Sequence, residues 1–252
     1  VYAKGAVSFG GVHDIGASVK RLEIGSSLNT VELLHISSLL TAAARVKNYY
    51  EDTTDSLTGY FHALEPLTPL NTEIKRCILS EDEISDDASA NLRSIRRQKV
   101  LAAERIHTEL NKMLNSSSVR NCLQDFVITS RSGRYCLPVK AEYKSQVPGM
   151  VHDQSATGST LFIEPAAVVK LNNDIRELEL KEQAEIEAIL AELSAKASEF
   201  TDELLMDFQV LTTLDFIFAK AILAKEMNAV RPVFNDQRRI SIKEGRHPLL
   251  DP

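Results

Sequence analysis

The sequence predicts a mainly α protein: a helical core, two long antiparallel helices, and a small antiparallel β module inserted between them. Three observations carry this. Ser89 to Asn115 holds neither Pro nor Gly and repeats Leu92, Ile95, Ala102, Ile106, Leu110 and Met113 at helical spacing. Pro165 to Leu204 carries Ile175, Leu178, Glu182, Ile186, Ile189, Leu193, Ala197, Phe200 and Leu204 at alternating three- and four-residue steps, a near-continuous heptad seam. Between the two, the hydrophobic period drops to two in short runs that flank glycine-containing turns.

The elements follow in order. Asp14, after the turn glycines Gly10 and Gly11, suits the N-cap of a short helix with Ile15, Val19 and Leu22 on one face, and Gly25 ends it. Asn29 and Glu32 have capping-box spacing ahead of Leu33, Ile36, Leu40 and Ala44, so a helix runs to about Tyr50 and packs on the first. Pro66 and Pro69 interrupt helix, and Asn71 is expected to cap a short helix over Glu73 to Leu79 before an acidic link. Ser89 caps the first long helix, which reaches roughly 40 Å, and Pro165 is favoured as the first residue of the second.

The first long helix is rich in Arg and Lys and the second in Glu, so flanking positions are expected to pair across the seam. Phe126–Thr129 and Tyr135–Val139 flank one turn, Ser130 to Gly133; Met150–Gln154 and Thr160–Ile163 flank another, Ser155 to Ser159. Pro138 marks its strand as an edge or a bulge. Leu211, Leu214, Ile217, Phe218, Ala221, Ile222 and Met227 describe a mostly buried helix returning to the core, and Phe234 to Ile242 reads as one or two further strands. The implied regions are 1–118, 119–165, 166–230 and 231–252.

Over 252 residues the net charge is −6, which argues against a phosphate-binding partner unless cations are concentrated locally. They are. From Phe126 to Val147 the β module holds Arg131, Arg134, Lys140 and Lys144 against Glu142 alone. Such a patch, with hydroxyls and backbone amides at the turn tips, suits a sequence-independent grip on a nucleic-acid backbone; the plainer reading is a solvated sheet edge that cations keep from aggregating.

Other motifs point to no chemistry. Cys77, Cys122 and Cys136 are an odd set without paired spacing, as expected of reduced thiols in a cytoplasmic protein. The six histidines have no metal-ligand spacing. His152 and Asp153 are neighbours on a strand, so they are expected on opposite faces and unable to act with Ser155 as a triad. Phe162-Ile163-Glu164 has the Phe-x-Glu form of a base wedge, but its place in an apolar run predicts that Phe162 packs in the core. No Gly-x-x-x-x-Gly-Lys-Ser/Thr occurs, so these residues are expected to hydrolyse nothing. No apolar run is long enough for a membrane span, and no basic, then apolar, then small-residue pattern marks a leader, so neither a span nor secretion is expected. A start at Val1 and a stop just after Gly245-Arg246-His247-Pro248 suggest a piece of a longer polypeptide.

The stretch Arg134-Tyr135-Cys136-Leu137-Pro138-Val139-Lys140-Ala141-Glu142-Tyr143-Lys144, with Val151-His152-Asp153-Gln154-Ser155-Ala156-Thr157-Gly158-Ser159-Thr160-Leu161-Phe162-Ile163-Glu164-Pro165, closely resembles the second bacterial MutS subfamily, whose members usually bear a C-terminal Smr nuclease domain. Leu171-Asn172-Asn173, Leu214 to Lys220 and Gly245 to Pro248 extend the match. The resemblance implies that the helical parts are core and lever and that the β module is a clamp, while Gly245 to Pro248 opens an ATPase domain. It implies a homodimeric, DNA-binding ATPase that suppresses homologous recombination, with an endonuclease in the Smr part. ATP and Mg would serve the full-length protein and no cofactor this region. The subfamily is also credited with splitting collided ribosomes, and it lacks a mismatch-recognition domain. ATP-driven closure would then swing stiff arms so that the clamps close on DNA. Three readings stand: a nucleic-acid clamp, a ribosome- or rRNA-binding module, and a structural dimerisation coiled coil.

Overall fold

A computed structural model describes residues 7–51, 55–245 and 247. In chain order its elements begin with helices α1 (Gly16–Glu23), α2 (Thr30–Tyr49), α3 (Thr58–Ala63) and α4 (Thr68–Cys77), then strands β1 (Ile78–Ser80) and β2 (Glu83–Ile84). Helices α5 (Ala90–Asn115) and α6 (Ser117–Arg120) lead to β3 (Thr129–Arg131), β4 (Arg134–Lys140), β5 (Gly149–Gln154) and β6 (Thr160–Pro165). The last elements are α7 (Val169–Ser198) and α8 (Thr201–Glu226). The chain is mainly α with a small antiparallel sheet, as its periodicity requires. It divides into two compact units, residues 1–75 with 193–252, and residues 76–192.

In the first unit, α1 stops where Gly25 takes φ +73° and its amide bonds back to the Leu22 carbonyl. The capping box of α2 is complete: the Asn29 side chain accepts from the Glu32 amide at 2.9 Å, and the Glu32 carboxylate accepts from the Asn29 amide at 2.9 Å. Leu33, Ile36, Leu39, Leu40, Ala43 and Val46 bury α2 against the α8 residues Leu204, Leu211, Leu214 and Phe218. Phe9 and Tyr49 both meet the Phe218 ring edge-on, with centroids 5.6 and 6.0 Å away.

Three expectations change here. Helix α4 starts at Thr68 and ends at Cys77, with Pro69 in its first turn, where a missing N–H costs nothing. Asn71 lies inside that helix, and its side chain joins Ser37 at 2.7 Å and Thr41 at 3.1 Å instead of capping. Helix α8 is not mostly buried, since Met206, Phe216 and Leu223 stand exposed on it. Residues 229–245 form no strand: Val233, Phe234, Ile240 and Ile242 are exposed, and a strand forms only beside a partner, of which the described residues supply none. Arg246 and Pro248, part of the expected ATPase opening, lie outside the described residues.

Asp207 on α8 is fully buried, which composition and spacing gave no reason to expect. Its Oδ1 accepts the Glu65 amide at 2.8 Å, while its Oδ2 meets no donor. Burial, only partly offset by that amide, pushes its pKa up from 3.8 to about 7. The folded value lies above the unfolded one, so the stability associated with this group is full below about pH 4 and is lost as pH rises through 7. Asp207→Asn keeps an acceptor for Glu65 and cannot ionise. Urea denaturation at pH 5 and pH 8 is expected to show the variant gaining on the parent at the higher pH by, after screening, on the order of 1–2 kcal/mol. An equal difference at both pH values would refute the assignment.

In the second unit Ser89 caps α5, accepting from the Leu92 amide at 2.9 Å, and the 26 residues of the helix extend about 39 Å. Helix α7 runs antiparallel to it: Ser89 meets Glu185 at 2.7 Å, and Arg96, further along α5, meets Glu182 at 2.8 Å. The expected cross-helix pairing is thus present, and Lys99 also donates to Glu182. Glu182 holds a place in the apolar seam, with its side chain 17% exposed. Burial raises its pKa, but the hydrogen bonds from Lys99 and Arg96 outweigh that and hold it below the usual carboxylate value. A charged residue there fixes the register of the two helices.

The seam differs from expectation at two places. Pro165 ends β6, a short 3-10 turn follows, and α7 begins at Val169. Helix also breaks at Glu199 and Phe200 before α8, although the sequence there holds neither Gly nor Pro.

The sheet is ordered β3-β4-β6-β5, all antiparallel. Its inner face adds Leu137, Val139 and Ile163 to a core shared with Ile95, Ala102, Ile106 and Leu110 of α5 and Ile175 and Leu178 of α7. Asn172, 2% exposed, ties the start of α7 to β4: its side chain accepts from the Tyr135 amide at 3.1 Å and donates to the Tyr135 carbonyl at 3.3 Å. The β3–β4 turn narrows to Ser132 and Gly133, with φ +50° and +72°, the two left-handed residues a tight hairpin needs. Pro138 is buried inside β4, which is neither an edge nor bulged. Its carbonyl accepts from the Gln124 amide, so its missing N–H lies on the same side, toward Gln124, and takes no bond from β6.

Candidate nucleic-acid interface

Strand alternation puts Arg131, Arg134, Cys136, Phe162 and Glu164 on the outer face of the sheet, opposite the shared core. Glu164 is nevertheless fully buried. Arg134 Nη1 donates to one of its oxygens at 2.9 Å, and His152 Nε2 lies 2.6 Å from the other. The Arg131 guanidinium covers the Phe162 ring at 3.9 Å and lies 3.3 Å from Asp153. Phe162 is therefore a partly exposed residue beneath a cation and not part of the core. His152 and Asp153 do reach the same face, because a bulge between Val151 and Asp153 breaks the alternation assumed for them. Under this cluster, burial and then the Glu164 charge push the Cys136 thiol up to about 11, so it stays protonated at neutral pH.

Lys140 and Lys144 lie apart from these arginines. Arg134 opens β4 and Lys140 closes it, about 20 Å along the strand. The Arg134 end is the end that Asn172 fastens to α7. At the other end Lys140 pairs with Thr160, and the Ala141 amide donates to the Ser159 carbonyl at 2.9 Å, so the β5–β6 turn lies alongside. That turn gathers hydroxyls: Thr157 and Ser159 are 2.8 Å apart, Ser155 and Thr157 3.4 Å, and Gly158 takes φ +71°. Lys140 Nζ reaches the Asn121 carbonyl at 3.5 Å and stands 5.8 Å from the Tyr143 ring, and Lys144 is exposed. Among the described residues neither lysine has an acidic partner.

The four proposed contacts thus fall into two pairs. Arg131 and Arg134 are matched by Asp153 and Glu164, and Lys140 and Lys144 are open to solvent ions. Sequence reasoning missed Glu164 as the anchor of the first pair, although an acid ending an apolar strand was visible. It also missed Arg120, which lies before the window of period-two residues, and it read Phe126 as the start of a strand, whereas β3 begins only at Thr129. His13 stacks on His35 with centroids 4.0 Å apart, but no group of three or more metal-binding side chains occurs among the described residues. No Gly-x-x-x-x-Gly-Lys-Ser/Thr phosphate loop occurs in the sequence. No described helix is long and apolar enough to cross a membrane.

Over 251 residues, all of this chain, the sequence is 65% identical to Endonuclease MutS2 of Lachnospira eligens, of which it covers 32%. The likeness to the second MutS subfamily runs through the whole chain. Endonuclease MutS2 of Agathobacter rectalis is 56% identical over 256 residues, with 100% of this chain and 32% of that protein covered. The MutS2 of Shouchella clausii is 43% identical over 256 residues, with 99% and 32% covered. No protein-family model matches the chain. The chain spans about a third of the length of these MutS2 relatives, so catalytic activities in their names belong to proteins three times as long.

Proposed function

We propose that this chain is the nucleic-acid-gripping and lever region of a MutS2-type protein, and that it holds a sugar-phosphate backbone at the Lys140 end of its sheet. The observation that carries this is the pairing of two unneutralised lysines with a hydroxyl-lined turn: Lys140 and Lys144 supply charge, and Ser155, Thr157 and Ser159 supply donors. Nothing there reads base edges, so the grip is independent of sequence. The long α5 and α7, free of Gly and Pro, suit the transmission of motion from a distant ATPase. ATP hydrolysis, homodimer formation, DNA cleavage, recombination suppression and ribosome engagement are proposals for the full-length protein, to which this region would contribute the grip.

The test is fluorescence anisotropy on duplex DNA at two or more salt concentrations. Lys140→Ala with Lys144→Ala is expected to weaken binding about tenfold at low salt and to flatten the log–log salt slope by about 2. Arg131→Ala is expected to change that slope by less, its charge being matched already by Asp153. An unchanged slope in the double variant would place the grip elsewhere. Competition with purified ribosomes reports whether rRNA takes the same surface.

A further inference from the structure

Beside Lys140 the chain places an exposed aromatic ring that a grip on duplex backbone does not require. Residues 122–124 run along the end of β4: Lys140 donates its amide to the Cys122 carbonyl, Gln124 donates to the Pro138 carbonyl, and Leu123 bridges Val139. On one side of this short pairing is Arg120, the last residue of α6; on the other is Phe126. Bends at residues 124–126 turn the chain back so that the Arg120 guanidinium lies 4.8 Å from the centre of the Phe126 ring. Phe126 is still 56% exposed. The Lys140 ammonium reaches the carbonyl of Asn121, the residue next to Arg120. Arg120 thus touches the open ring, Lys140 reaches the residue beside Arg120, and Lys144 follows Lys140 by four residues; with Asp125 and Glu142 the acids nearest in sequence, a local excess of one positive charge remains.

We infer that this surface takes an unpaired stretch of a nucleic-acid strand, with its phosphates on Arg120, Lys140 and Lys144 and a base stacked on Phe126. The inference rests on the grip proposed above and specifies what it grips. In a duplex the faces of the bases are covered by their neighbours, and a phenyl ring at the backbone gains nothing; in a single strand each base offers a free face, and stacking on an aromatic side chain adds to the phosphate contacts. The Arg120 guanidinium holds the ring from one side and contributes a cation to the same strand. The chemistry is shared by DNA and RNA, since neither stacking nor phosphate pairing reads the sugar.

The chain contains no Trp. Phe126→Trp therefore installs a single indole at the site, whose fluorescence reports stacking directly. Titrations with an oligothymidylate and an oligouridylate of about 12 nucleotides, and with a blunt duplex, are expected to quench the indole with either single strand and to leave it nearly unchanged with duplex. A further titration with an oligodeoxyuridylate separates the sugar from the thymine methyl group as the source of any difference between the two strands. Phe126→Ala is expected to weaken single-strand binding about tenfold and duplex binding less than about twofold, because an exposed ring can be removed without unfolding the sheet. Single-strand binding by anisotropy with no change in the indole, or equal loss of single-strand and duplex binding in Phe126→Ala, overturns the inference and leaves the backbone grip standing. Lys140→Ala with Lys144→Ala that spares both ligands overturns the grip itself.

Discussion

Gly149→Ala is expected to destabilise the second unit by about 3 kcal/mol, enough to lower the melting temperature by roughly 6–12 °C. A Cβ on Gly149 would stand 2.1 Å from the Glu164 carbonyl oxygen and 2.8 Å from a methyl of Ile163. The first of these is backbone and cannot swing aside. Gly149 has no positive φ, so the requirement is for space alone: it sits opposite Pro165 where β5 enters the sheet, beside the bond from the Ala166 amide to the Pro148 carbonyl. Admitting a methyl group pushes the start of β5 off β6 and carries His152 away from Glu164. Thermal melting followed by far-UV circular dichroism, with amide exchange along β5, reads both effects. A variant that melts within a degree of the parent would mean the strands are not so close.

Arg134→Ala removes one of the two side chains that satisfy a fully buried carboxylate, and is expected to cost about 3–5 kcal/mol. What is lost is chiefly the solvation of Glu164, which keeps only His152. The distinguishing experiment is the pair: Arg134→Met with Glu164→Leu leaves no charge behind and is expected to recover most of the stability lost by Arg134→Ala. If the double variant is as unstable as the single one, the pair is not acting through a buried charge. Weak nucleic-acid binding in Arg134→Ala would follow from a loosened sheet, and only a folded variant would speak for a phosphate contact.

The legibility of the sequence varied with the range of the interactions. The capping box at Asn29 and Glu32, the Ser89 cap and Gly133 and Gly158 at their turns are local devices, and each stands where its spacing placed it. The pairing of Arg96 and Lys99 with Glu182 was visible as opposite charge on two helices. Features set by tertiary contact were not visible. The bulge that brings His152 and Asp153 to one face inserts a residue without any sequence signal. Glu164 is buried on the outer face of a sheet because Arg134 and His152 close over it, and no periodicity encodes that. Likewise the four cations of the β module were adjacent in composition, but the length of β4 separates them into a neutralised pair and a free one.

The two sides of the four-stranded sheet have a consequence for how anything reaches it. Strand β3 offers three residues, and β5 is kinked by its bulge and carries His152 and Asp153 inward over the face. An extended peptide seeking to join the sheet through main-chain bonds meets too few consecutive groups on one flank and a row out of step on the other. Both flanks are thus poor templates for β-augmentation, by a partner or by another copy of the module, which favours ligands held by side chains and by the turn tips.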